Sequence, residues 1–147
     1  MSSNSSVTDA APRASTAAFL ELSLGLLARE RPTNAARFVR AMTGLRARVH
    51  VDEERFVVEG DGRAVRVLRD AEASTRGDAE FRVRRSALLE VLDARRTLAE
   101  AIRDGELEVQ GALETIFRLR AALLAYVHGA VRCRSFPALL ERYRQMQ

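Results

Sequence analysis

The sequence predicts an α+β fold: an antiparallel or mixed sheet of about five strands, covered by helices and closed by a long apolar helix near the C-terminus. Three observations carry this reading. Short runs between residues 45 and 84 alternate apolar and polar side chains and are separated by turn residues, the period-two mark of half-buried strands. Segments with helical apolar spacing flank these runs on both sides, as they do when helices cover an antiparallel sheet. The stretch 97–131, TLAEAIRDGELEVQGALETIFRLRAALLAYVHGAV, reads as a short helix, one strand and a long apolar helix, punctuated by Gly105 and Gly111.

Residues 1–14 are rich in Ser, Ala and Thr and predict a disordered tail. Residues 15–147 then suit one domain with a single core, carrying a helical extension at its N-terminus. Ser15 can cap a helix to about residue 30, with Phe19, Leu22 and Leu26 on one side and Leu20, Leu24 and Leu27 on the other. So broad an apolar surface must be covered, by the domain or by a partner. Pro32 breaks that helix. A second follows over 34–42, with Ala35, Phe38, Val39 and Met42 in phase and Gly44 as its stop.

Four strands follow, at 45–51, 55–59, 63–68 and 80–84. The first turns Leu45, Ala47, Val49 and Val51 inward and Arg46, Arg48 and His50 outward. Asp52-Glu53-Glu54 reads as a solvated acidic turn, and Asp61-Gly62 as a hairpin turn. Ser86 can cap a helix carrying Leu88, Leu89 and Leu92. Thr97 and Glu100 have capping-box spacing, so another short helix starts there, and Gly105 sits where a left-handed residue would end it. Glu106, Leu107, Glu108, Val109 and Gln110 alternate as a fifth strand, and Gly111 allows a tight exit from it.

The long helix from about residue 112 has two apolar stripes. One is Leu113, Ile116, Phe117, Leu124, Val127 and Val131; the other is Leu119, Leu123, Tyr126 and Ala130. A helix lying on a sheet and facing water needs only one stripe. The second must bury against the N-terminal helix, a twin subunit or a bound lipid. Ser135 and Pro137 can open a last helix with Leu139, Leu140 and Tyr143 apolar.

The segment AIRDGELEVQG, with Gly105, Leu107, Val109 and Gly111 and the preceding LLEVLDARRTL, resembles the signature of the sterol carrier protein-two family of small lipid-binding and lipid-transfer domains. In order and length the resemblance spans roughly residues 32–143. The family often has a glycine between its paired short helices, where this chain has Ala94. The resemblance implies an interior hydrophobic tunnel between sheet and closing helix, lined by Phe81, Leu92, Ile102, Ile116, Phe117, Leu123 and Tyr126. A tunnel of roughly 300 Å³, a usual lower size for ligand pockets, would cost on the order of 7 kcal/mol if left as a dry void. Such a tunnel favours occupancy.

Composition excludes several classes. The 24 basic residues are all arginine, yet the net charge is only +4. The excess lies after residue 112, with Arg118, Arg120, Arg132, Arg134, Arg142 and Arg144, so no broad basic face for nucleic acid is expected. The first four of these could dock on an anionic membrane surface. Cys133 is the only cysteine, which excludes an intrachain disulfide and a multi-cysteine metal site. His50 reads as a solvent-facing strand residue and His128 as a partly buried helix residue. There is no nucleophile elbow, phosphate loop or His–Glu metal spacing, so neither catalytic residues nor a cofactor are expected. With no secretory apolar segment and no membrane-length run, the cytoplasm is the expected compartment.

The function expected is therefore non-enzymatic: binding, and transfer, of a lipophilic molecule of fatty acyl, isoprenoid or sterol-like type. The alternative is an accessory module that docks on an enzyme of lipid or quinone metabolism, or pairs with its own twin, through the apolar helix 19–27.

Overall fold

A computed structural model describes residues 15–69 and 77–146; the expected N-terminal tail lies outside them. The chain runs α1 (Thr16–Glu30), α2 (Pro32–Ala41), β1 (Arg46–Val51), β2 (Glu54–Gly60), β3 (Val65–Arg69), β4 (Ala79–Val83), α3 (Arg85–Leu92), α4 (Leu98–Arg103), β5 (Leu107–Gly111), α5 (Leu113–Ala130) and α6 (Phe136–Gln145).

The five strands form one sheet in the order β3-β2-β1-β4-β5. The β1–β2, β2–β3 and β4–β5 pairs are antiparallel. After the hairpins the chain returns to lay β4 beside β1 in parallel, with Val49 opposite Phe81 and Val51 opposite Val83. The sheet is therefore mixed. Strand alternation holds in this register: Ala47, Val51, Phe56, Val58, Phe81, Val83 and Leu107 join one buried cluster with apolar residues of all six described helices. Arg46, Arg48 and His50 point the other way.

That outer face is less solvated than its sequence suggests. Glu80 lies 3.5 Å from Arg48, 3.2 Å from Arg82 and 2.8 Å from His50 Nε2, and Glu59 pairs with Arg46 and Arg66. The His50 side chain is only 16% exposed. Burial pushes its pKa below the usual histidine value, outweighing the pull of Glu80. At neutral pH the imidazole is therefore neutral, and its 2.8 Å contact with Glu80 is not an ion pair. His50 is a half-buried residue beside Glu80 rather than a solvent-facing strand histidine.

Helix ends explain the boundaries. Ser15 Oγ accepts from the Ala18 N–H at 3.0 Å, as expected of a cap. Glu54 also serves α1, accepting from the Thr16 and Ala17 N–H groups at 2.7 and 3.0 Å. The acidic turn is thus not merely solvated: its last carboxylate neutralises the positive end of α1. Pro32 opens α2 rather than only closing α1, since its missing N–H is harmless in a first turn. Arg84, not Ser86, is the N-cap of α3, and it contributes no side-chain cap. The Thr97–Glu100 capping box is present in both directions. At the far end of α4, the Glu106 N–H bonds to Ala101 O and the Gly105 N–H to Ile102 O, with Gly105 at φ +75°. This is a Schellman stop.

Two hydroxyl pairs and an aromatic stack join α1 to α5 and α6. Thr16 shares a buried hydrogen bond with Tyr143 of α6. The Phe19 and Tyr143 rings stack at 4.3 Å, and the Arg85 guanidinium lies 4.5 Å from the centre of the Tyr143 ring. Ser23 donates to Leu20 O, so its oxygen accepts from the Tyr126 hydroxyl at 2.6 Å. The apolar positions of α1 are thereby placed inside the domain: Phe19, Leu26 and Leu27 are buried, and Leu22 alone among its leucines is exposed.

Ala94 sits at φ +63° between α3 and α4, where glycine would carry no steric penalty. Ala94→Gly should raise the stability by about 1 kcal/mol, read as an increase in the urea midpoint. For His50, the folded pKa lies below the unfolded one, so the unfolded chain takes up the proton first. Stability should fall as the pH drops from about 6.5 through the folded-state value, and His50→Gln should flatten that fall in melts at a series of pH values.

Candidate ligand-binding site

The inner sheet face and the helices do not meet completely. Between them lies an apolar chamber of about 100 Å³. Its floor is Ala47, Val49 and Val51 of β1, Phe56 and Val58 of β2, and Phe81 of β4. Its roof is Leu119, Ala122, Leu123, Tyr126 and Val127 of α5, with Phe38 and Met42 of α2, Val91 and Leu92 of α3 and Leu98 of α4 closing the sides. The cause is legible in residue size: Ala47 and Ala122 are both fully covered and both line the space, and neither has a side chain long enough to fill it.

The wall offers no free polar group. Its two hydroxyls belong to Thr16 and Tyr126, and these are bonded to Tyr143 and Ser23. Burial raises the Tyr126 pKa far above the usual phenol value, so this group stays neutral. Burial likewise raises the Tyr143 phenol and the Cys133 thiol. Among the described residues no group of three or more His, Cys, Asp or Glu side chains could hold a metal ion. What the chamber can do is exclude water and make dispersion contacts. As a dry void it costs on the order of 2 kcal/mol at about 24 cal/mol per Å³.

Two open grooves adjoin the chamber. One, of about 370 Å³, lies between the α3–α4 connection and α5 and shares Val91, Leu98 and Val127 with it. The other, of about 600 Å³, lies between β5, α4 and α5 and shares Leu98, Leu107 and Leu123.

The seven side chains expected to line a tunnel divide among these spaces. Phe81, Leu92, Leu123 and Tyr126 line the chamber. Ile102 and Ile116 line the larger groove, together with Leu123. Phe117 lines none of them and is 61% exposed beside Leu113 at 68%. Of the motif residues, Leu107 lines the chamber and Val109 the larger groove. The motif glycines shape backbone instead. Gly105 stops α4, and a Cβ at Gly111 would lie 3.0 Å from Asp78 O of the neighbouring strand.

Other expectations are revised. His128 is exposed rather than partly buried, on the rim of the smaller groove. Arg118 donates to the Thr43 carbonyl and so ties α5 to the end of α2, whereas Arg120, Arg132 and Arg134 are exposed. The reading from sequence missed the β1, β2 and α2 residues of the wall. The inward alternation of β1 and β2 was the available signal, but nothing in a one-dimensional pattern separates a filled interior from a hollow one. It also missed Arg96, whose guanidinium bonds Glu90, Asp104 and Glu106 and so holds α3, the end of α4 and the start of β5 together.

Comparison with known proteins agrees with this geometry. The sequence profile of the SCP-2 sterol transfer family matches residues 24–124. Among solved structures, the chain is similar to one described as UbiJ-SCP2, ubiquinone synthesis protein, at 28% identity over 71% of this chain and 85% of that one, with a TM-score of 0.51. It is also similar to the sterol carrier protein domain 2 of Helicoverpa armigera, at 10% identity over 74% and 85% of the two chains, with a TM-score of 0.52. No curated protein matches the sequence. No helix among the described residues is long and apolar enough to cross a membrane. Its five-stranded mixed sheet, closing apolar helix and family profile over most of its length together make this chain a member of the SCP-2 sterol transfer family.

Proposed function

We propose that residues 15–147 form a single non-enzymatic lipid-binding domain that holds the tail of a fatty acyl, isoprenoid or sterol-like molecule in the chamber under α5. The observation that carries this is a wall without a single uncommitted polar atom, set in the interior of a family of lipid-binding domains. An empty apolar space binds apolar molecules readily, because they regain dispersion contacts that its lining lacks. At about 100 Å³ the chamber is below the usual 300–1,000 Å³ of ligand pockets. It receives part of a tail, and the remainder lies in the adjoining grooves once the shared side chains move. Tail burial contributes about 0.8 kcal/mol per methylene, so four or five methylenes offset the ordering of the displaced side chains.

The 28% identity to a domain of a ubiquinone synthesis protein supports a finer reading, an accessory factor that holds a lipophilic intermediate for an enzyme. The exposed Leu113 and Phe117, not the apolar helix 19–27, are then the surface available to a protein or membrane partner, because most of that helix is covered by its own domain.

Native mass spectrometry of freshly purified protein, followed by organic extraction, should find an added mass that is released as a lipid. A clean mass that stays unchanged after incubation with long-chain lipids would contradict the proposal. Ala122→Leu puts a side chain into the chamber. It should abolish uptake of a fluorescent fatty acid while changing stability by no more than about 1–3 kcal/mol, read by urea titration.

A further inference from the structure

We propose that Arg120 anchors the head group at an entrance to the chamber beside α4, and that the domain selects amphiphiles with one anionic head, a carboxylate or phosphate, over neutral ones. This rests on the chamber reading above. A head group cannot be held inside, because both wall hydroxyls are already bonded. It must therefore stay at an opening, and both grooves that share wall residues with the chamber have Arg120 on their rim. Leu98 belongs to the chamber and to both grooves, so it is the side chain a tail must pass.

Charge singles out Arg120 among its neighbours. In the smaller groove Arg96 is held by three carboxylates and Arg95 lies 3.3 Å from Asp93. Glu100 accepts from the Thr97 N–H and is committed to the capping box. Arg120 is exposed, and no carboxylate among the described residues pairs with it. His128, two turns further along α5, adds a second donor at the far end of the same groove. Leu124 and Val127 lie between them and give the groove an apolar floor. The larger groove sets Glu108 against Arg120 alone, whereas the smaller sets Glu100 against Arg95, Arg96 and Arg120, so the head sits in the smaller one. A guanidinium accepts a carboxylate or a phosphate through paired N–H donors, and gains nothing comparable from an alcohol.

The test compares displacement of a fluorescent fatty acid from the full chain by hexadecanoate, hexadecyl phosphate and hexadecanol. Wild type should prefer both anions to the alcohol. Arg120→Gln should weaken both anions roughly fivefold, as an exposed ion pair does, and leave the alcohol unchanged. Arg132→Gln, exposed and lining neither groove, should alter none of the three. Equal weakening of acid and alcohol by Arg120→Gln, or no weakening, would overturn the anchor while leaving the chamber intact. If only one anion weakened, that anion would be the head the site takes, and the loss of alcohol discrimination would still support Arg120. If wild type displaced the probe with none of the three, the chamber reading would fall and the anchor with it.

Discussion

The structure depends on one constraint: the inner face of a five-stranded sheet is apolar from β3 to β5 and must be covered, yet small residues stand at the centre of both the sheet and its closing helix. Ala47 on β1 and Ala122 on α5 are both fully buried and both border unfilled space. Native interiors are close-packed, and an unfilled space forfeits dispersion contacts along its whole lining. A sequence that needed only stability would place larger side chains there. The hollow is tolerated because everything around it is tightly bonded.

That bonding is concentrated at the two ends of the described chain. The first helix is capped from the sheet by Glu54 and joined to the last by the Thr16–Tyr143 hydrogen bond and the Phe19–Tyr143 stack. Arg85, at the start of α3, covers the same tyrosine and donates to the Tyr143 and Met146 carbonyls. Glu30 accepts from the Ser135 hydroxyl and N–H, which hold its carboxyl below the usual range. Burying α1 in this way makes it part of the wall, because Thr16, Phe19 and Leu20 all border the chamber. The helix Thr16–Glu30 is therefore a component of the wall, and the most exposed large apolar side chains among the described residues are Leu113 and Phe117 on α5.

Arginine supplies many of the polar ties between elements. Arg96 gathers three carboxylates, Arg118 reaches a backbone carbonyl at Thr43, and Arg144 bonds Glu141 and Asp93. The planar guanidinium suits this work because it offers several donors in fixed directions. Arg120 differs by having no such partner among the described residues, although it stands only two residues from Arg118 on the same helix. Two residues rotate the side chain by roughly 200° about the helix axis, enough to turn one arginine onto α2 and the next toward the grooves.

Strand alternation, the capping box at Thr97, the stop at Gly105 and the two-striped closing helix were all legible in the amino-acid sequence, because each is a local relation between residues a few positions apart. Phe81, Leu92, Leu123 and Tyr126 were legible as apolar positions of their elements, and it was the family resemblance that named them as lining. Tertiary structure alone decided that β4 runs parallel to β1, that Glu54 caps a helix 38 residues away in the chain, and that Phe117 faces solvent while Ile102 and Ile116 line an outer groove. It also decided that the interior is hollow at Ala47 and Ala122. The physical reason is that sequence periodicity states which face of an element is apolar, whereas the distance between two such faces is set by every other contact in the fold.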